Sequence, residues 1–213
     1  MRRDPAAWAH MVLGEAGYLD TWRARPAVDV AALLARRGIS WHRRPLGRLR
    51  GALVGLGGEY HVVTNSALSP PEERLVAAHE LGHYLLHRGR ADLFLCSDGR
   101  GRREREADAF AVELLMPAEV VWWLRRRGFG PTEGAAVLGV SADIAHPRVA
   151  ELERASEERR RHRVEKTPDW SDPSLAASHS GRRLWAIGNH RQTHSLGIGR
   201  RTDGHGSRGD RPA

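Results

Sequence analysis

Three residues have types and spacing that could do chemistry together: His79, Glu80 and His83, within the run His79-Glu80-Leu81-Gly82-His83. Two imidazoles four positions apart on a helix stand one turn above each other, about 6 Å apart. They can share one divalent ion lying about 2.0–2.1 Å from each nitrogen. The Glu80 carboxylate flanks such an ion, where it can take a proton from a water that the cation acidifies. With 12 His and 15 Glu in 213 residues, about 0.05 accidental matches to this pattern are expected. The bland alternative is a solvated helix face with incidental histidines. Gly82 argues against it, because glycine lowers helix propensity and a small residue there points to close packing.

A catalytic zinc takes three protein ligands and keeps one open position, so a third donor must come from elsewhere. His87 lies on the same arc as His79, but about 12 Å further along the helix axis, too far to join the same ion. Glu104 and Asp108 are the next candidates. Four residues apart on a predicted helix, they point the same way, one able to bind a metal and the other to accept the free N–H of a ligand histidine. Carboxylates on an Arg-rich helix face are also ordinarily solvated, and spacing alone leaves the two readings level.

These residues need a scaffold. Apolar periodicity predicts a helix over 71–87, with Ser69 and Glu72 spaced as a capping box and Gly89 as its stop. On it, Leu75, Ala78, Leu81, Gly82, Leu85 and Leu86 form a packing arc, and His79, Glu80 and His83 the adjoining one. Upstream, a short helix around Trp8–Leu13 and a helix over 26–38 precede three short strands, 39–42, 52–56 and 60–64, expected to be antiparallel. Downstream, a loop over 88–101 leads to helices over 102–116, 117–127, 132–138 and 142–155, the last with Pro147 expected to kink it. The fold class is α+β, mainly helical with a small antiparallel sheet. Residues 1–25 read as an N-terminal helical extension, 26–155 as the domain, and 156–213 as a basic low-complexity tail, expected to be disordered.

Composition narrows the function classes. No run of 18 apolar residues occurs and the first residues do not resemble a signal peptide, so neither a membrane partner nor export is expected, and the predicted location is cytoplasmic. The single cysteine, Cys96, excludes an internal disulfide and a cysteine-rich zinc module. Of the net charge of +8, residues 156–213 carry +5. That tail reads as a solvated extension, with non-specific nucleic acid contact through phosphates as its functional alternative. Arginine supplies 33 of the 34 basic residues, which reads as coding bias rather than function.

Residues 26–152 resemble the ImmA/IrrE-type metallo-endopeptidases. The resemblance is carried by Arg74, by AAHELGHYLLH at 77–87 and by EREADAFAVELLMP at 104–117. It implies a zincin-like fold, with Glu104 as third metal ligand beside His79 and His83, Glu80 as catalytic base, and Asp108 at a position where the family has Asn or Asp. Glu106, two positions on, falls roughly on the other side of its helix. Zn²⁺ is the implied cofactor, and the same donors suit Mn²⁺ or Fe²⁺. A third block, with Val140, Ser141, Ile144, Arg148, Val149 and Leu152, departs from the family pattern at Ile144 and Pro147, and also resembles a helix-turn-helix. Family members resemble intracellular proteases that cut one helix-turn-helix repressor, often encoded beside them. The implied function is therefore a zinc endopeptidase acting on a specific regulatory protein. Its rivals are a non-catalytic metal-containing DNA-binding regulator, using residues 131–155 and the tail, and an antitoxin-like partner protein. Tyr60, His61, Tyr84, His87 and His146 remain open as oxyanion donors. If the register of the second block is right, Glu104→Ala lowers the zinc content measured on the purified protein by elemental analysis, and Glu106→Ala leaves it at the wild-type stoichiometry. The reverse result would show the block misaligned.

Overall fold

The computed structural model describes residues 4–87, 93–96 and 101–165. Residues 1–166 form one compact unit. In chain order its elements are α1 (Pro5–Glu15), α2 (Tyr18–Thr21), α3 (Val30–Ala35), β1 (Ile39–Arg44), β2 (Gly51–Leu56), β3 (Glu59–Asn65), α4 (Pro70–His87), β4 (Leu93–Cys96), α5 (Arg102–Leu115), α6 (Ala118–Arg126), α7 (Pro131–Leu138) and α8 (Ala142–Glu165). The expected class holds: mainly helical, with one small sheet.

The sheet departs from expectation in two ways. Its order is β1-β3-β2-β4, and it is mixed: β1 runs parallel to β3, while β2 is antiparallel to both β3 and β4. Alternation in sequence identifies a strand but not its partner, and the loop between β1 and β2 carries the chain past the end of β3. Asn65 holds that loop, its Nδ2 donating to the carbonyls of Gly47 at 3.0 Å and Leu49 at 2.7 Å. The fourth strand, β4, lies in the stretch expected to be loop, where four residues are too few to show a period. Gly89, the expected helix stop, lies outside the described residues.

Helix α4 begins at two prolines, which suit a first turn whose N–H groups lack helical partners. Half of the expected capping box forms: the Glu72 carboxylate accepts from the Ser69 N–H at 3.0 Å and from its hydroxyl at 2.6 Å. Beyond its first turns the helix is buried almost all round, from Val76 to Tyr84, where two arcs had been expected. The reason is its position. It packs on β2 and β3 on one side and against α5 on the other, so its polar residues are enclosed along with its leucines.

Gly82 sets the distance between α4 and α5. A Cβ there would lie 3.0 Å from Phe110 Cδ1, 3.2 Å from Ala107 Cα and 3.3 Å from the Ala107 carbonyl oxygen. Helix α1 packs on the other side of α5, with Ala9, Val12 and Leu13 fully buried in the same core as Phe110 and Leu114. Within residues 4–25, the described part of the expected N-terminal extension, α1 thus packs into the common core. Helix α8 runs through Pro147 to Glu165, so residues 156–165, expected to be disordered, are helical. The rest of the predicted tail lies outside the described residues.

Two arginines tie the periphery to this core. Arg74 of α4 donates to the carbonyls of Leu138, Gly139 and Val28, at 3.1, 2.9 and 2.7 Å. Arg148 of α8 is buried and pairs with Glu113 of α5, whose other oxygen lies 3.2 Å from His10 Nε2 of α1. Gly82→Ala gains helix propensity of about 1 kcal/mol but overpacks against backbone, at a cost of about 1–3 kcal/mol. The expected outcome is a lower urea midpoint at unchanged m-value; a higher midpoint would show that α5 yields freely.

Candidate metal centre

The close approach at Gly82 brings the first turn of α5 onto the histidine face of α4. His79 Nε2 lies 2.9 Å from His83 Nε2 and 3.2 Å from Glu104 Oε2, and His83 Nε2 is 3.4 Å from Glu104 Oε1. One donor atom from each of the three lies within 4.8 Å of the other two, making this a group that could hold a metal ion.

The chemistry of the donors fits a cation. Asp108 Oδ1 lies 2.8 Å from His79 Nδ1. A carboxylate only accepts, so the proton of neutral His79 sits on Nδ1 and its Nε2 presents a lone pair. Burial, with the neighbouring His79 and His87 adding, pushes the His83 imidazole down to about 3, so it stays neutral at physiological pH. Neutral imidazole is the form that ligates metal. Two ring nitrogens and a carboxylate oxygen crowded together are stable around positive charge.

Glu80 is fully buried and lies under β2. Its Oε1 is 3.2 Å from where a Cβ on Gly51 would sit, and that Cβ would also strike Val76. Gly51 thus makes room for the carboxylate, a role that sequence reasoning missed; its only signal was a glycine opening an otherwise apolar strand.

His87 does not join the three donors. It reaches the other nitrogen of His83, with Nδ1 to Nδ1 at 3.2 Å, and its Nε2 lies 3.1 Å from Glu106 Oε2. Glu106 is held by Arg102, whose Nε donates to Oε1 at 2.8 Å. The bond from Arg102, then that from His87, keeps the Glu106 carboxyl below its ordinary range. The other candidate oxyanion donors are dispersed. Tyr60 and Tyr84 meet edge to face, with centroids 4.9 Å apart; His61 lies beside His42 on the sheet; His146 is exposed next to Thr132.

Helix α8, in the block that resembles a helix-turn-helix, turns Ala145, Arg148, Val149 and Leu152 inward. The exposed positions over 143–154 are Asp143, His146, Pro147, Ala150, Glu151 and Arg154. Two carboxylates against one guanidinium make a poor surface for a phosphate backbone.

A family model, the M78 peptidases with their IrrE N-terminal-like domain, matches residues 35–150. The match spans more than half of the chain and contains the whole donor group; the chain belongs to this family. A 90-residue segment is also 38% identical to immunity region protein 2 of Bacillus phage phi105, covering 40% of this chain and 56% of that protein. The chain thus spans little more than half the length of that relative. Among the described residues no helix is long and apolar enough to cross a membrane. Gly51→Ala forces Val76 and the Glu80 carboxylate to shift, with an expected loss of about 1–3 kcal/mol in chemical denaturation; unchanged stability would mean that the space under β2 is not needed.

Proposed function

We propose that the protein is a zinc-dependent endopeptidase that hydrolyses one peptide bond in a specific regulatory protein, a helix-turn-helix repressor encoded beside it. The observation that carries this reading is the convergence of His79, His83 and Glu104, with Glu80 adjacent to His79 in sequence, inside the segment matched by a peptidase family. A regulatory substrate is supported by the relative from a phage immunity region. Two imidazoles and one carboxylate suit Zn²⁺, and Mn²⁺ or Fe²⁺ are the other cations of matching softness.

His79, His83 and Glu104 would hold the ion, and Asp108 would fix the ring of His79. The ion, when bound, supplies Lewis acidity toward the scissile carbonyl and lowers the pKa of a water beside it. Glu80 takes a proton from that water as its oxygen bonds to the carbonyl carbon, then delivers the proton to the amine nitrogen as the C–N bond breaks. Its burial beneath β2 keeps bulk water from competing for this proton.

The test is intact-mass analysis of the neighbouring repressor after incubation with zinc-loaded wild type, Glu80→Gln and His83→Ala. A single new cleavage site is expected with wild type only. Glu80→Gln should keep its zinc and lose about 10²–10⁴-fold in rate, whereas His83→Ala should lose both metal and cleavage. Cleavage by Glu80→Gln at the wild-type rate would end the proposal.

A further inference from the structure

His87 is buried on α4 and takes no part in the three-donor group, yet its Nδ1 lies 3.2 Å from the far nitrogen of His83. The direction of the bonds around it follows from their ends. Arg102 has only donors, so Glu106 accepts from it at Oε1, and this bond, holding the carboxyl below its ordinary range, keeps it ionised. Glu106 Oε2 can then only accept from His87 Nε2, 3.1 Å away, which puts the proton of neutral His87 on Nε2. His87 Nδ1 is left as an acceptor, 3.2 Å from His83 Nδ1, and the nitrogen facing it must be the donor. The His83 proton therefore sits on Nδ1, and its Nε2 lone pair points at His79 and Glu104.

We infer that His87, oriented by Glu106 and Arg102, is a positioning residue that holds His83 in the Nδ1–H tautomer and so keeps its Nε2 ready for the metal. The arrangement parallels Asp108 behind His79, but the carboxylate acts through an intervening imidazole. A carboxylate placed directly against His83 would bring another negative charge into a fully buried site; the His87 ring passes on the same directional demand while leaving the charge at the rim, where Glu106 meets Arg102. The purpose of the device rests on the metallopeptidase reading, whereas the position of the proton does not require a bound metal.

The experiment uses the full chain, freed of metal with a chelator. Long-range ¹H–¹⁵N correlation reports the tautomer of His83, and competition with a chromophoric chelator reports zinc affinity. Wild type is expected to show the proton on Nδ1. His87→Phe removes the acceptor, so His83 should shift toward the Nε2–H form and zinc affinity should fall about 10- to 100-fold. His87→Asn places Oδ1 where Nδ1 stood, and should keep both the tautomer and an affinity within a few-fold of wild type. An Nε2–H tautomer in wild type would overturn the inference. So would a His87→Phe protein with unchanged tautomer and affinity, or a His87→Asn protein as impaired as His87→Phe. Should His87→Phe fail to fold, the wild-type tautomer and His87→Asn still decide. If wild type binds no zinc, the peptidase reading falls and the tautomer alone judges this one.

Discussion

The structure depends on one close approach: the backbone of α5 lies against α4 across Gly82, with Ala107 and Phe110 occupying the space a side chain would need. That contact fixes where the first turn of α5 can be, and Glu104, less than one turn before Ala107, is thereby placed beside His79 and His83. From the same helix Asp108 reaches His79, and Glu106, expected on the other side of α5, reaches His87. Four polar links between two helices follow from one small residue. Burying so many titratable groups is costly unless each has a partner. The histidine face of α4 satisfies that demand with carboxylates from the neighbouring helix.

Much of this was legible in the sequence because the signals are local. The spacing of His79, Glu80 and His83 on a helix, the small residue at 82, and the four-residue step from Glu104 to Asp108 each follow from helical geometry alone. What the sequence could not disclose was pairing. The parallel alignment of β1 with β3 arises because the 45–50 loop passes β3 and is clamped by Asn65, a long-range hydrogen-bonding event with no periodic signature. Strand β4 was too short to announce itself. The continuation of α8 to Glu165 was hidden by composition, since Glu and Arg-rich turns read alike whether helical or solvated. The space for Glu80 beneath Gly51 depends on which strand crosses the helix at that point.

Arginine abundance also changes meaning in three dimensions. Read as composition, 33 arginines signal a coding preference. In the fold, two of them serve as fasteners that a lysine could not replace. Arg74 spreads its fork over carbonyls from two separate segments, and Arg148 pairs with Glu113 while its guanidinium faces the carbonyl of Met116. The planar guanidinium meets several acceptors at once. An ammonium, a compact point charge, would leave some of those buried carbonyls unsatisfied.

The seating of α1 against α5 has a bearing on how the molecule comes into being. His10 and Glu113 meet across 103 positions of chain, so α1 leaves the ribosome long before the helix that covers it exists. Contacts of such sequence separation are closed late and at an entropic cost. During that interval Val12 and Leu13 have no final resting place, and the newborn chain carries an apolar stripe that invites chaperones or a sister chain. The histidines of α4 emerge in the same interval, without the carboxylates of α5. Until α5 has followed them out and docked on α4, the nascent polypeptide lacks Glu104, the third of the donors that converge in the finished fold.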